Sequence, residues 1–508
     1  MSDKVGMSRR AMIGASIMVP VAAQARGLGG KRDRRPNILF LLPDQFRFDW
    51  LSGNGMPIHT PNIDALASRG IRFGKAVSAA PVCAPSRACL ASGREYDQCG
   101  VESNFVNYPV SQTTYYTKLR DAGYFVAACG KLDLSKPAHD NGLDGRNHMA
   151  EWGFNDLNNC GGKGDAVNKW EEFRTPYEPY MVYMMKEGVA DIHAADIHAR
   201  QKGGANKAAS YARTYPTPIV DRDYEDNWIG RVGVDMLRRF PKDKPWHLVV
   251  NFAGPHNPED ITETMAKTVR DRTFPQPNDS TELSPREHNA IRQNYTAMVE
   301  NLDRWVGLYV EELKKRGELD NTIIVFSSDH GEMLGDHNRW AKNVPYEASI
   351  GVPLIVCGPN IRHRRSDALV SLTDCAATFL DYAEAERPED MTALSFRPLL
   401  EGKTDKHRDY VRSGLYGWRM VSDGRYKLVD GFDVRKDGLF ELGAAWPKDK
   451  PRPVILFDLE LDPKEVKDFS AAEPDVVARL KPLLAERNPD PAYGVITRDK
   501  VKSYGREH

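Results

Sequence analysis

Three short segments of the chain hold residue types from which a catalytic centre can be built. The first is Cys83-Ala84-Pro85-Ser86-Arg87-Ala88-Cys89-Leu90-Ala91-Ser92-Gly93-Arg94, with a cysteine just ahead of a helix expected over Pro85 to Leu90. An anion held there meets free backbone N–H groups and the positive end of the helix dipole. The second is Asp44-Gln45, after the apolar run Asn37 to Leu42, and the third is Asp329-His330-Gly331, after Thr322 to Phe326. Open α/β sheets bind ligands at the carboxyl ends of such strands. Taken alone, each segment has a plain reading: a buried structural cysteine, or a strand-ending turn. The chain's seven cysteines, an odd number thinly spread, do not make a disulfide framework.

The Cys83 segment resembles the signature of the type I sulfatases, Cys-x-Pro-Ser-Arg followed by Leu-x-Ser/Thr-Gly-Arg, at every fixed position. The resemblance runs from about Pro36 to Glu465 and ends on Phe457-Asp458-Leu459-Glu460-Leu461-Asp462-Pro463-Lys464-Glu465, similar to a phrase near the end of many bacterial sulfatases. It implies that a maturation enzyme oxidises Cys83 to formylglycine, whose hydrated form offers two oxygens on one carbon. It also implies one divalent ion held by Asp44, Gln45, Asp329, His330 and the modified Cys83. So oxygen-rich a set suits calcium, with magnesium or manganese as competitors.

Gln45 stands where the family more often has a second acid. Gly130-Lys131-Leu132-Asp133 corresponds to the family's Gly-Lys-Trp-His, so Lys131 is expected to grip sulfate oxygens. Asp133 replaces the usual histidine, as a base or as a ligand orienter. Gly254-Pro255-His256-Asn257-Pro258 resembles the family's Pro-His-x-Pro loop, with His256 as general acid toward the leaving alcohol. Lys342, in Trp340-Ala341-Lys342-Asn343-Val344-Pro345-Tyr346-Glu347, matches a lysine that contacts sulfate and the bridging oxygen. With Arg87, these lysines and the ion would neutralise charge on the transferring group. The implied fold is alkaline-phosphatase-like: a large mixed sheet between helices, plus a small C-terminal sheet domain. The implied activity is sulfuric-ester hydrolysis, of a sulfated glycan or small molecule. Relatives that hydrolyse phosphonate monoesters or phosphodiesters carry an Asp-Gln pair like this one and supply the alternative. A glycan-binding protein with a degenerate site is a third reading.

The elements that must position these residues alternate short apolar runs with helical patterns, as in an α/β sheet covered on both faces. Inner strands are expected at Asn37 to Leu42, Tyr124 to Ala128, His247 to Phe252, Thr322 to Phe326 and Val352 to Val356. Thr60-Pro61 opens a helix. Ser284-Pro285-Arg286-Glu287 is a capping box before a long helix whose apolar face runs from Ile291 to Leu313 and which Gly317 closes. Between about Asn141 and Pro218 the sequence turns polar and irregular, as in an insertion over the sheet's active edge. Its repeated Asp-Ile-His-Ala (Asp191 to Ala194, Asp196 to Ala199) reads as a surface helix, since a five-residue repeat puts His193 and His198 on diverging faces. Short strands at Tyr410 to Tyr416, Arg419 to Ser422, Tyr426 to Val429 and Ile455 to Leu459, then a helix over Asp475 to Glu486, suggest a small antiparallel sheet with a helix.

At 508 residues the chain is long enough for one large domain with a satellite. Residues 36–402 read as the catalytic domain and 403–508 as the smaller one. With 70 basic and 71 acidic side chains, a nucleic-acid partner is not expected. Residues 1–35 read as an address: Ser8-Arg9-Arg10 is a twin-arginine pair, followed by the weakly apolar Ala11 to Ala23 and the small-x-small pattern Ala23-Gln24-Ala25. Export through the twin-arginine translocase, cleavage near Ala25 and work in the periplasm are the expectation.

Overall fold

A computed structural model describes residues 35–202, 207–432 and 453–489, so the twin-arginine segment lies outside the described residues. Arg35, the last residue of the expected address, already belongs to the folded body. Its guanidinium donates to the carbonyls of Ala122 and Ala383 at 2.8 and 3.0 Å.

Eight strands build the main sheet: β1 (Asn37–Leu41), β2 (Gly70–Val77), β3 (Phe125–Gly130), β4 (Asp156–Asn159), β5 (Trp246–Asn251), β6 (Thr322–Ser327), β7 (Leu354–Cys357) and β8 (Arg364–Ser371), in the order β4-β3-β5-β1-β6-β7-β2-β8. All run parallel except β7, which is antiparallel to β6 and β2. The sheet is therefore mixed, with β1 near its middle. Alternate residues of β1 feed two cores: Ile38 and Phe40 join one layer, Leu39 and Leu41 the other. Each such side chain, taken fully out of water, contributes about 1.5–3 kcal/mol. Helices Cys83–Ser92, Tyr115–Asp121 and Asp374–Tyr382 pack on the first face, and Pro61–Ser68, Glu225–Arg239 and Pro285–Arg316 on the second.

The long helix begins with the expected capping box. The Glu287 amide donates to Ser284 Oγ at 3.3 Å and the Ser284 amide to Glu287 Oε2 at 2.8 Å. Its C-terminus is closed by Gly317 at φ +69°, a left-handed position that suits glycine. Tyr295 on this helix donates to the backbone carbonyl of Gln45 at 2.7 Å and accepts from the Arg47 amide at 2.8 Å, pinning the loop after β1.

A second sheet, β9 (Val411–Leu415), β10 (Trp418–Ser422), β11 (Tyr426–Asp430) and β12 (Val454–Asp458), is antiparallel in the order β12-β11-β10-β9, with helix Pro474–Leu480 beside it. Two expectations are corrected. The segment 141–218 is not irregular: it contributes edge strand β4 and helices Lys163–Phe173, Pro179–Lys186, Ala190–Gln201 and Lys207–Tyr211. The Asp-Ile-His-Ala helix is not a surface helix either. His193, Asp196 and Arg200 on it are buried, with His193 edge-on to Tyr180 at 5.5 Å, while His198 falls off that face.

Candidate active site

The loops at the carboxyl ends of β1, β3, β5 and β6 converge on the first turn of helix Cys83–Ser92, all of whose residues are buried. Val82 is its N-cap, so Cys83 is the first helical residue. Cys83 Sγ lies 3.3 Å from His330 Nε2, 3.6 Å from Lys131 Nζ and 3.8 Å from Asp44 Oδ1. Burial and the Asp44 carboxylate push the thiol up, but Lys131, Lys342 and His330 outweigh them and bring it down to about 6. That is the environment of a nucleophile and not of a packing cysteine.

Asp44, Cys83, Asp329 and His330 present donor atoms within 4.8 Å of one another. His330 Nδ1 lies 3.1 Å from the Gly331 carbonyl, which can only accept, so Nε2 keeps its lone pair toward the acids. Burial and Asp44 raise the Asp329 carboxyl, which His330 and Arg87 only partly offset. Burial lowers the His330 imidazole, yet Asp329 carries it above its ordinary value. Burial opposes the Asp44 charge, but Lys131, His256 and Arg87 overcome it and hold the carboxyl well below its ordinary value, so it stays an anion. Two buried carboxylates and an imidazole nitrogen gathered this closely are a donor set that fits a divalent cation.

Gln45 adds an amide oxygen. It sits at φ +66°, and its Nε2 is held by Glu332 and by Asn257 Oδ1 at 3.3 Å, which turns Oε1 toward Lys342 Nζ. The Glu332 carboxylate is itself fixed by the Leu334 and Ala341 amides at 2.9 and 2.8 Å and by the Tyr211 hydroxyl at 2.8 Å. Arg87 grips the acids: Nε to Asp329 at 3.0 Å, one terminal nitrogen to Asp44 at 3.3 Å, the other to Asn251 at 2.8 Å.

Lys131 follows Gly130, whose φ of +87° and 1.9 Å gap between a built Cβ and the Asn251 carbonyl leave room for glycine only. Lys131 pairs with Asp44 and lies 3.5 Å from Asp133. Asp133, at φ +56°, also takes Lys136 at 3.0 Å. Burial opposes its charge, but Lys131, Lys136 and Arg87 hold its carboxyl well below the usual range. Its contacts are with these lysines. Lys342 lies between two residues of positive φ, Ala341 and Asn343, and its Nζ is 2.7 Å from His256 Nε2. The small sheet secures this loop: Trp418 Nε1 donates to the Asn343 carbonyl at 3.0 Å, and buried Lys427 reaches the Pro345 carbonyl at 2.7 Å, Glu347 at 3.0 Å and Glu465.

All ten residues singled out in the sequence thus meet at one place. Glu332, Tyr211, Lys136 and Asn104, which also stand there, were not singled out. Glu332 lies two residues beyond His330 and was within reach of the motif. The others sit in segments with no pattern that marks them.

This constellation, at the carboxyl ends of a mixed eight-stranded sheet, defines an enzyme of ester hydrolysis at an anionic group. Residues 36–385 match the family described as Sulfatase, and residues 335–488 match the one described as N-sulphoglucosamine sulphohydrolase, C-terminal. The chain belongs to the sulfatase family, and so to the sulfuric-ester hydrolases. An arylsulfatase of Clostridium perfringens is 26% identical over 475 residues, covering 86% of this chain and 91% of that one. An N-acetylglucosamine-6-O-sulfatase of Bacteroides thetaiotaomicron is 28% identical, covering 87% and 84%. The fold is shared with the phosphonate monoester hydrolase of Agrobacterium radiobacter at a TM-score of 0.70 and 20% identity, over 88% of this chain and 94% of that one.

Proposed function

We propose that the protein releases sulfate from a sulfated carbohydrate, using a formylglycine matured from Cys83 and one divalent ion, calcium. The observation that carries this reading is the convergence of Lys131, His330 and Asp44 within 3.8 Å of a buried cysteine at a helix start. The hydrated aldehyde supplies two hydroxyls on one carbon, one to attack sulfur and one to expel sulfate and restore the aldehyde. Asp44, Gln45, Asp329 and His330 would hold the ion, which supplies positive charge beside the transferring group.

The rest is the work of the chain's own side chains. Lys131, 3.6 Å from Cys83 Sγ, and Lys342, beside Gln45 and His256, bind sulfate oxygens as point charges. His256 Nδ1 lies 2.6 Å from the Asn257 carbonyl, so Nδ1 carries the proton and Nε2 accepts from Lys342. Burial, Lys342 and Lys131 hold this imidazole well below its ordinary value, so the ring is neutral until an anion arrives. A bound sulfate ester offsets both lysines and favours the protonated ring, which then donates to the bridging oxygen. Asp133, kept ionised by Lys131 and Lys136, is a weak base, and the pairing supports the orienting role over the base. The Ser8-Arg9-Arg10 pair supports export of the folded enzyme to the periplasm.

Gln45 favours one second reading, hydrolysis of phosphonate monoesters or phosphodiesters, because the cluster carries one acid fewer than is usual. Matured enzyme assayed on sulfated sugars, an aryl sulfate and an aryl phosphonate monoester separates the two. Sulfate release is expected to dominate, to stop on chelation and to return with calcium. Faster phosphonate cleavage, restored only by manganese or zinc, decides for the second reading.

A further inference from the structure

Above Cys83 the site opens into a cleft of about 220 Å³. Cys83, Lys131 and His256 form its floor, and the segment between β4 and β5 supplies its wall. The wall is pressed close. A Cβ on Gly162 would come within 2.9 Å of Lys131 Cε, and one on Gly164 within 2.6 Å of Gln201 Nε2. Between these glycines, Lys163 points away from the cleft. Its Nζ reaches Asp260 at 2.5 Å, the Tyr224 hydroxyl at 3.2 Å and the Pro258 carbonyl at 3.4 Å. The wall is thereby tied to the loop that carries His256, so its distance from the floor is set.

We infer that this cleft is a leaving-group subsite for a single polyhydroxylated ring, a monosaccharide sulfate or the terminal ring of a chain, selected by Asp165, Asn168 and Gln201. The inference rests on the sulfate-ester reading and names the substrate within it. Asn168 and Gln201 line the cleft, and their amides make no hydrogen bond to another described residue. Asp165 accepts from Lys136 at 2.6 Å through one oxygen, which leaves the other to accept. Asn104 gives its Oδ1 to the Ala84 amide at 2.9 Å, which leaves its NH₂ to donate. A hydroxyl both donates and accepts, and a wall of amides, a carboxylate and an ammonium answers it on both counts.

Other leaving groups find less there. An aryl ring wants flat apolar walls and a quaternary ammonium wants an aromatic cage. Among the described residues the lining holds no Phe, Tyr or Trp ring and no branched aliphatic side chain; its one aromatic group is the His256 imidazole on the floor. The volume also lies below the roughly 300–1,000 Å³ of pockets that enclose drug-sized ligands, which suits one ring and not several.

The test compares kcat/KM of matured full-length enzyme on hexose and hexosamine monosulfates, 4-nitrophenyl sulfate and choline sulfate, with 4-nitrophenyl phenylphosphonate as the control arm. The wild type is expected to favour a monosaccharide sulfate. In the variants Asp165→Asn and Asn168→Ala/Gln201→Ala, the ratio of sugar sulfate to 4-nitrophenyl sulfate should fall by about tenfold, mostly through KM. An unchanged ratio, or a wild type that prefers the aryl or choline ester, overturns the subsite while leaving the sulfate-ester reading intact. Phosphonate cleavage with no sulfate released from any ester overturns that reading itself, and the subsite with it.

Discussion

The floor and the wall of the cleft are built on opposite principles. On the floor the charged groups hold one another: Arg87 bonds Asp44, Asp329 and Asn251, and Lys131 meets Asp44 and Asp133. These groups sit on strand-end loops, or for Arg87 on the helix that faces them, and are fully buried or nearly so. On the wall, Asn168 and Gln201 are exposed and bond to nothing else described. Preorganised charge is what a transition state needs, because it costs no reorganisation when the reaction occurs. Unused hydrogen-bonding capacity is what a variable substrate needs. The fold thus keeps the reaction in its sheet and leaves selection to one inserted segment.

The largest effect should come from the floor. Cys83→Ala is expected to lower kcat by roughly 10⁴-fold or more on every ester, as removal of a covalent nucleophile does, with little change in thermal stability. Residual turnover near wild type would mean that the buried cysteine is structural after all.

A smaller effect probes how the floor is held. Glu332 takes the NH₂ of Gln45 and leaves the amide oxygen facing Lys342. Glu332→Gln puts a second amide there and removes the orienting charge. Calcium affinity measured by calorimetry should weaken by about 10–100-fold, the usual consequence of losing a residue behind a metal ligand, in a protein that melts cooperatively. Unaltered affinity would show that Gln45 needs no such support.

The smallest effect concerns the wall. Glu178 caps helix Pro179–Lys186 by accepting from the Met181, Tyr180 and Gly161 amides at 2.5, 3.0 and 3.4 Å. Burial pushes its carboxyl up to about 7 despite those donors. The folded state therefore keeps a proton that the unfolded chain gives up near pH 4.5. This contribution to stability is present in full below pH 4.5 and is lost as pH rises through about 7. It is on the order of a few kcal/mol at most. The wild-type melting temperature should fall between pH 5 and 8 more steeply than that of Glu178→Gln. Parallel curves would remove Glu178 as the cause.

The same contrast governed what could be read in the sequence. β1, β5 and β6 are buried on both faces and read as continuous apolar runs, so the residues that follow them could be placed beforehand. β2 and β8 lie toward one end of the sheet, carry Arg72, Lys75, Arg364, Arg365 and Asp367, and gave no such run. The wall was read as irregular because its own core is polar: Glu178, His193, Asp196 and Arg200 are buried there among Tyr180, Met181 and Ile197. Hydropathy cannot register a core made of paired charges and capped helices. The anchoring of the Lys342 loop by Trp418 and Lys427 was invisible for a different reason. It joins the small sheet to a loop between β6 and β7, through residues 75 and 82 positions apart, and no local pattern encodes such a contact.

The central claim is that Cys83 acts as an aldehyde and not as a thiol. It is tested most directly by preparing the enzyme at several degrees of maturation. In each batch, the fraction of residue 83 that reacts with a hydrazide probe is measured by peptide mass spectrometry against the rate of sulfate release. The account predicts a rate proportional to the aldehyde fraction, extrapolating to zero when only thiol is present. Full sulfate release from enzyme whose residue 83 is entirely unmodified cysteine would contradict it.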